Sequence, residues 1–218
     1  MRYQFYREHK YVSAALNDVE RKIARTDFRD PKEVQEASQA FHDLCSMLQG
    51  HAEYENTCLH TLLEEKGSKV HLHAADDHGH QDEALHEIEG LFDLVQRAAS
   101  ADDQVSLGNQ LYLTYRKFVA DNLAHLHEEE TTILPELQRL YTDAELKQVE
   151  AKAYCAMTPE DIVEMMRVLF PHMNPSDRAA FLSDIHDVQP EKFSIAWEAI
   201  SPTLGEVERA RLCQEFAM

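Results

Sequence analysis

The sequence predicts an all-α protein: an antiparallel, up-down-up-down four-helix bundle followed by a small helical extension. Three observations predict it. Six Gly and seven Pro among 218 residues are few enough for long uninterrupted helices. Four long amphipathic segments, at approximately 2–26, 31–66, 73–99 and 103–141, are joined by short breaks, and short connections make consecutive helices antiparallel neighbours. From about residue 142 the pattern changes to short segments that each open on a cap of their own.

The punctuation of each element is legible in order. The first segment stops before Asp30-Pro31, which supplies a cap and a first-turn proline to the second. Gly67-Ser68 ends the second segment, and the cap-rich break from Ser100 to Asp103 separates the third from the fourth. Domain boundaries are therefore expected at 1–141 for the bundle and 142–218 for the extension. Within the extension, Thr142-Asp143, Thr158-Pro159-Glu160-Asp161, Asn174-Pro175-Ser176-Asp177, Gln189-Pro190-Glu191 and Ser201-Pro202 each read as a helix start. Its large apolar residues, among them Met165, Leu169, Phe170, Phe181, Leu182, Ile185, Phe193 and Trp197, are expected to form a small core or to dock on the bundle.

Composition removes several classes of function. A hydrophobic content of 44% with 28% charged residues is ordinary for a soluble globular protein. The formal net charge of -19 sets an acidic field that repels nucleic acid, phosphate-rich ligands and anionic lipid, and no basic patch offsets it. Neither a nucleic acid nor a membrane is expected as a partner. MRYQFYREHK has no apolar core of signal-peptide length, and no run approaches the apolar length of a membrane span, so a cytoplasmic location is expected. Cys45, Cys58, Cys155 and Cys213 lack C-x-x-C spacing and read as reduced, mostly buried small hydrophobes. No phosphate-cradling glycine loop, G-x-S-x-G elbow or zinc-finger spacing occurs.

Chemistry is concentrated in histidines and carboxylates. His51 and Glu55 in HAEYENTCLH and His125 and Glu129 in HLHEEETTILPEL are two H-x-x-x-E pairs, each stacked on one helix face. Single histidines His9 and His78 lie on the other two long segments. Chain length puts all four at matching heights. His9 lies 17 residues before the first break and His51 lies 20 after Pro31, while His78 and His125 lie about 21 and 22 residues from the break near Ser100. Helical phase, at about 100° per residue, turns His42, His60, His80 and His127 outward. His71 and His73 fall in or beside the connection after Gly67, and His86, His172 and His186 are expected to be surface or satisfied imidazoles.

Imidazole with carboxylate suits iron and also holds manganese or zinc. Bridging carboxylates offset the repulsion between two close cations, and terminal imidazoles leave coordination positions open. Glu55 and Glu129 are the expected bridges, with His9, His51, His78 and His125 as terminal ligands. Asp82, about 40° from His78, is expected either as a seventh ligand or as a surface acid. Neighbouring Glu8, Asp77, Glu128 and Glu130 either orient an imidazole or are solvated.

At these residues the chain resembles the hemerythrin-like, or HHE cation-binding, family. The resemblance covers roughly residues 1–141 and rests on Glu8-His9, on His51, Glu55 and Leu59, on Asp77-His78, and most specifically on His125, Glu129, Glu130, Leu134 and Pro135. The second motif departs from the family's pattern, with Asn56 in place of a second acid and Thr61 where a proline would stand. The run TPEDIVEMMRVLFPHMNPSDRAAFLSDI with FSIAWEAI after it is similar to the segment following hemerythrin domains in Brutus-type plant iron-regulatory ubiquitin ligases. Their zinc-binding and RING modules are absent here, so ubiquitin transfer is not carried over. What the resemblance implies is a bundle with two non-haem iron ions, tied to iron or oxygen status.

Oxygen-carrying hemerythrins have two histidines one turn apart on the third helix, whereas Asp82 stands four residues after His78 here. Fewer imidazoles and more carboxylate stabilise the ferric state, which disfavours reversible oxygen carriage. Three classes of function then fit, in order. The first is a module that binds or senses iron with dioxygen, nitric oxide or peroxide. The second is a di-iron enzyme of peroxidase, oxidase or nitric-oxide-consuming type, and the third a purely structural helical protein. No protein partner can be named from the residues.

Overall fold

The computed structural model describes residues 2–216, and every regular element among them is helical. The chain divides into two compact units: Val12–Leu140, and a second that combines the residues up to Tyr11 with those from Tyr141 on.

In the larger unit, α1 (His9–Arg25) enters from Val12 onward and presents Val12, Leu16, Val19 and Ile23 to the core. Their alternating spacing of four and three is that of one helix face. Asp30 caps α2 (Pro31–Tyr54), accepting from the Lys32 amide at 2.9 Å, with Pro31 in the first turn as the sequence predicts. Val34, Ala37, Phe41, Leu44 and Leu48 form its buried face. A π-helical turn, Glu55–His60, follows without a break and passes into α3 (Thr61–Glu65). Gly67, at φ +72°, takes the left-handed conformation that ends α3, and the Ser68 amide returns to the Leu63 carbonyl at 2.9 Å.

Helices α4 (His71–Arg97) and α5 (Ala101–Glu128) are joined by only three residues and pack side by side. Ser100 caps α5 by accepting from the Asp103 amide at 3.1 Å. The Tyr115 hydroxyl, wholly buried, donates to the Leu16 carbonyl at 3.0 Å and locks α5 to α1. A second π-helical turn, Glu129–Ile133, continues α5 into α6 (Leu134–Leu140).

The smaller unit contains α7 (Asp143–Ala156), α8 (Pro159–Leu169), α9 (Pro175–Val188), α10 (Pro190–Ile200) and α11 (Glu206–Glu215). Capping boxes at Thr142/Glu145 and Thr158/Asp161, and Asn174 before Pro175, start these helices where the sequence predicts. Their core is Tyr154, Ile162, Met166, Phe170, Phe181, Leu182, Ile185, Phe193 and Ile200, with Met165 and Trp197 only partly covered. Arg178 grips Glu208 through two bonds of 2.8 and 2.7 Å and also donates to the Phe170 and Met173 carbonyls.

Two expectations change here. The first segment is not helical from residue 2: α1 begins at His9, and residues before it pack with the C-terminal helices. Tyr3, Phe5 and Tyr6 are buried, the Tyr3 hydroxyl donates to Asp184 at 3.1 Å, and Arg7 pairs with Asp184 at 2.8 Å. Aromatics at 3, 5 and 6 fit an extended strap better than a helix face. The cysteines are all free as expected, but Cys155 is exposed and the other three are half-buried, not fully covered. No helix among the described residues is long and apolar enough to cross a membrane.

Candidate metal centre

Each candidate bridge is the residue at which an α-helix becomes a π-helix. His51 lies in the last turn of α2 and Glu55 opens the first π turn; His125 lies in the last turn of α5 and Glu129 opens the second. A π turn bonds to the residue five back, so each residue advances by less than the α-helical angle. The residues after each glutamate are thereby held toward the interior, and Leu59, His60 and Ile133 are buried.

Glu55 and Glu129 have no exposed surface at all. One Glu55 oxygen lies 3.3 Å from His51 Nε2 and the other 3.3 Å from His78 Nε2, while Glu129 lies 3.4 Å from His125 Nε2. His78 and His125 bring their Nε2 atoms to 3.0 Å. Ligand atoms of Glu55, His78, His125 and Glu129 all fall within 4.8 Å of one another, and so do those of His51, Glu55 and Glu129. The donor set fits a pair of cations. Enclosed carboxylates need compensating positive charge, and a carboxylate whose two oxygens address different imidazoles is disposed to bridge.

The far nitrogens are held from outside. His78 Nδ1 meets Asn56 Oδ1 at 3.1 Å and His125 Nδ1 meets Asp77 Oδ2 at 3.4 Å, which fixes each ring with Nε2 facing inward. Burial works against a charged His125, but the hydrogen bond and charge of Glu129, with Glu55 and Asp77 behind them, outweigh it and raise its pKa. A cavity of about 420 Å³ between α4 and α5, lined by His73, Asp77, His80, Lys117 and Asp121, reaches His125.

Of the sequence-predicted residues, His51, Glu55, His78, His125 and Glu129 are brought together. His9 opens α1, buried and stacked on Tyr6 at 4.5 Å, and belongs to the smaller unit. Asp82 is not brought in. It is exposed and contributes no atom to either group; its carbonyl instead bonds His86. His42, His80 and His127 face outward as expected. His60 does not: the first π turn withdraws it from the α-helical phase and it is 3% exposed. Burial, partly offset by the charge of Glu55 and reinforced by His78, His71 and His125, pushes its pKa down to about 4. His71, expected in or beside the connection after Gly67, opens α4 directly after it and is equally buried.

Asn56 is the functional residue that sequence reasoning missed, since it registers in the motif only as a missing acid. Asp77, read either as orienting or as solvated, takes the orienting place.

The model of the Hemerythrin HHE cation binding domain matches residues 1–137. Among curated proteins, the F-box/LRR-repeat protein 5 of Danio rerio is 26% identical over 130 residues, 59% of this chain and 18% of its own length. The proteins of the same name from Pongo abelii and Bos taurus are each 23% identical over 175 residues, 78% of this chain and 24% of theirs. The chain thus spans a quarter or less of the length of these relatives. No solved structure gives a significant match.

Proposed function

Because the chain belongs to the hemerythrin HHE cation-binding family, we propose that its bundle holds two non-haem iron ions and binds a small ligand, dioxygen, nitric oxide or peroxide, in an oxygen-, nitric oxide- or iron-sensing role. The observation that carries the reading is Glu55, enclosed and directed by its two oxygens at His51 and His78. In this reading Glu55 and Glu129 would be held in common by the two ions, with His78 and His125 as further ligands to one and His51 to the other. His9 joins His51, as their matching heights along antiparallel helices support. Iron, when bound, supplies a change of oxidation state and open coordination positions.

The chain's own contribution is orientation and enclosure. Asn56 and Asp77 keep the His78 and His125 rings from turning, and the buried face of the bundle excludes bulk water from the carboxylates. With one imidazole from α4 and Asp82 outside, the set of four imidazoles and two carboxylates leaves coordination positions open for a small ligand.

Anaerobic loading with ferrous iron followed by oxygen titration tests the reading. Two irons per chain and a stable, ligand-dependent absorption band are expected. Rapid irreversible oxidation with peroxide turnover would instead assign the centre to an oxidase or peroxidase, and a chain that retains no iron after desalting would overturn the proposal. Metal analysis of the purified protein separates iron from manganese and zinc.

A further inference from the structure

Glu55 and Glu129 have no exposed surface, so an ion that reaches them has to come through the packed bundle. The cavity of about 420 Å³ between α4 and α5 leads in that direction, with a lining that runs from His73, Asp77 and Glu128 to the buried ring of His125. His125 Nε2 faces Glu129 on the other side, which makes this one imidazole a wall common to the cavity and the centre.

His73, Asp77 and Glu128 form a group of their own, with ligand atoms that all lie within 4.8 Å of one another. His73 Nδ1 is 3.0 Å from Glu128 Oε2 and 3.7 Å from Asp77 Oδ2. The same Asp77 oxygen lies 3.4 Å from His125 Nδ1, so a single carboxylate joins the group to the centre. Side-chain exposure falls along this line, from 68% at His73 through 31% at Glu128 and 29% at Asp77 to 4% at His125.

Lys117 on the same lining pairs with Asp121, which leaves the charges of Asp77 and Glu128 to set the sign of the cavity. A cleft lined by one sign of charge concentrates the opposite ion. One imidazole and two carboxylates suit a ferrous or manganous ion, and they are too few to replace its whole hydration shell. Six waters of hydration, at ~30 Å³ each, fill about 180 Å³ and fit within the cavity. A second cavity, of about 450 Å³ between α2 and α4, reaches His78, but among the described residues its lining forms no group of this kind apart from the centre.

We propose, on the di-iron reading above, that the cavity between α4 and α5 is the entry route for ferrous ions. His73, Asp77 and Glu128 dock each hydrated ion at its mouth, and the ion then passes the His125 ring to the enclosed carboxylates.

The test mixes ferrous iron anaerobically with the full metal-free chain and counts, at timed intervals, the iron protected from a fast chelator. His73→Ala and Glu128→Gln should each slow protection at least fivefold while the final count stays at two. Ala124→Trp, which fills the cavity from an exposed position on its lining, should slow it as well. Asp93→Asn removes one exposed carboxylate near the far end of α4 and should leave the rate unchanged. In the iron-loaded chain, manganese(II) counted by electron paramagnetic resonance should occupy one further, weakly held site that His73→Ala and Glu128→Gln abolish. Parent-like rates in His73→Ala, Glu128→Gln and Ala124→Trp, or the absence of that manganese site, overturn the proposal and leave the two irons in place. A parent chain that protects no iron overturns the di-iron reading and the entry route together.

Discussion

A carboxylate with no exposed surface cannot offset its charge with water, and Glu55 and Glu129 share that condition within one cluster of ligand atoms. Replacing Glu129 with Ala, or His125 with Ala, should remove at least one iron and lower the thermal midpoint, because the remaining buried groups lose their compensation. His127→Ala, two residues from His125 but exposed, should keep full iron. Unchanged iron in both site variants would sink the ligand assignment, and metal analysis with thermal melts decides it. The thiols give a separate test at this scale. Burial, and then the charge of Glu89, pushes Cys45 up to about 12, so almost no thiolate forms there at pH 8. A thiol reagent should therefore label exposed Cys155 well before Cys45, as peptide mapping of a time course would show.

At the scale of elements, the caps and breaks were readable because Asp30-Pro31, Gly67-Ser68, Ser100, Thr142 and Thr158 act through local bonds that the sequence itself specifies. The two π turns were not. They depend on what the interior demands of Glu55 and Glu129, and uniform helical phase therefore turned His60 outward when it is buried. His51, His78 and His125 were legible because they precede the π turns or lie on a helix that has none. Close packing gives a further prediction. A Cβ on Gly108 of α5 would stand 2.2 Å from the Phe28 ring, including the ring carbon nearest its backbone, so the α1–α2 connection must shift. Gly108→Ala gains about 1 kcal/mol of helix propensity but should lose more through displaced packing, for a net destabilisation of ~1–2 kcal/mol in denaturant melts. A stabilised variant would show that Phe28 gives way without cost.

At the scale of the whole molecule, a four-helix bundle and a short-helix extension were both legible, but the ownership of the first eleven residues was not. Tyr3 and Arg7 find Asp184 some 180 positions away, a partner that no periodicity near the N-terminus announces. Asp184 also accepts from Lys147 at 3.3 Å, so Asp184→Ala strands a buried guanidinium and an aromatic hydroxyl together. A cost of about 3 kcal/mol is expected, read as a lower midpoint for the unit around Trp197 by its fluorescence. A chain ending at Tyr141 carries the argument further, because it removes α7 to α11 and with them Asp184, Asp143 and the apolar core among which residues 2–8 are held. Those residues then lose the contacts that keep them ordered, and His9 follows directly after them at the first position of α1. His78, His125, Glu55 and Glu129 all stay within the larger unit. The shortened chain should fold as a bundle and keep the iron capped by His78 and His125, while the iron that the proposal assigns to His9 and His51 binds at least tenfold more weakly. Metal analysis after desalting should fall from two irons to one, and His9→Ala in the full-length chain should reproduce that loss. Two tightly held irons in the shortened chain would show that His9 is positioned by the bundle alone.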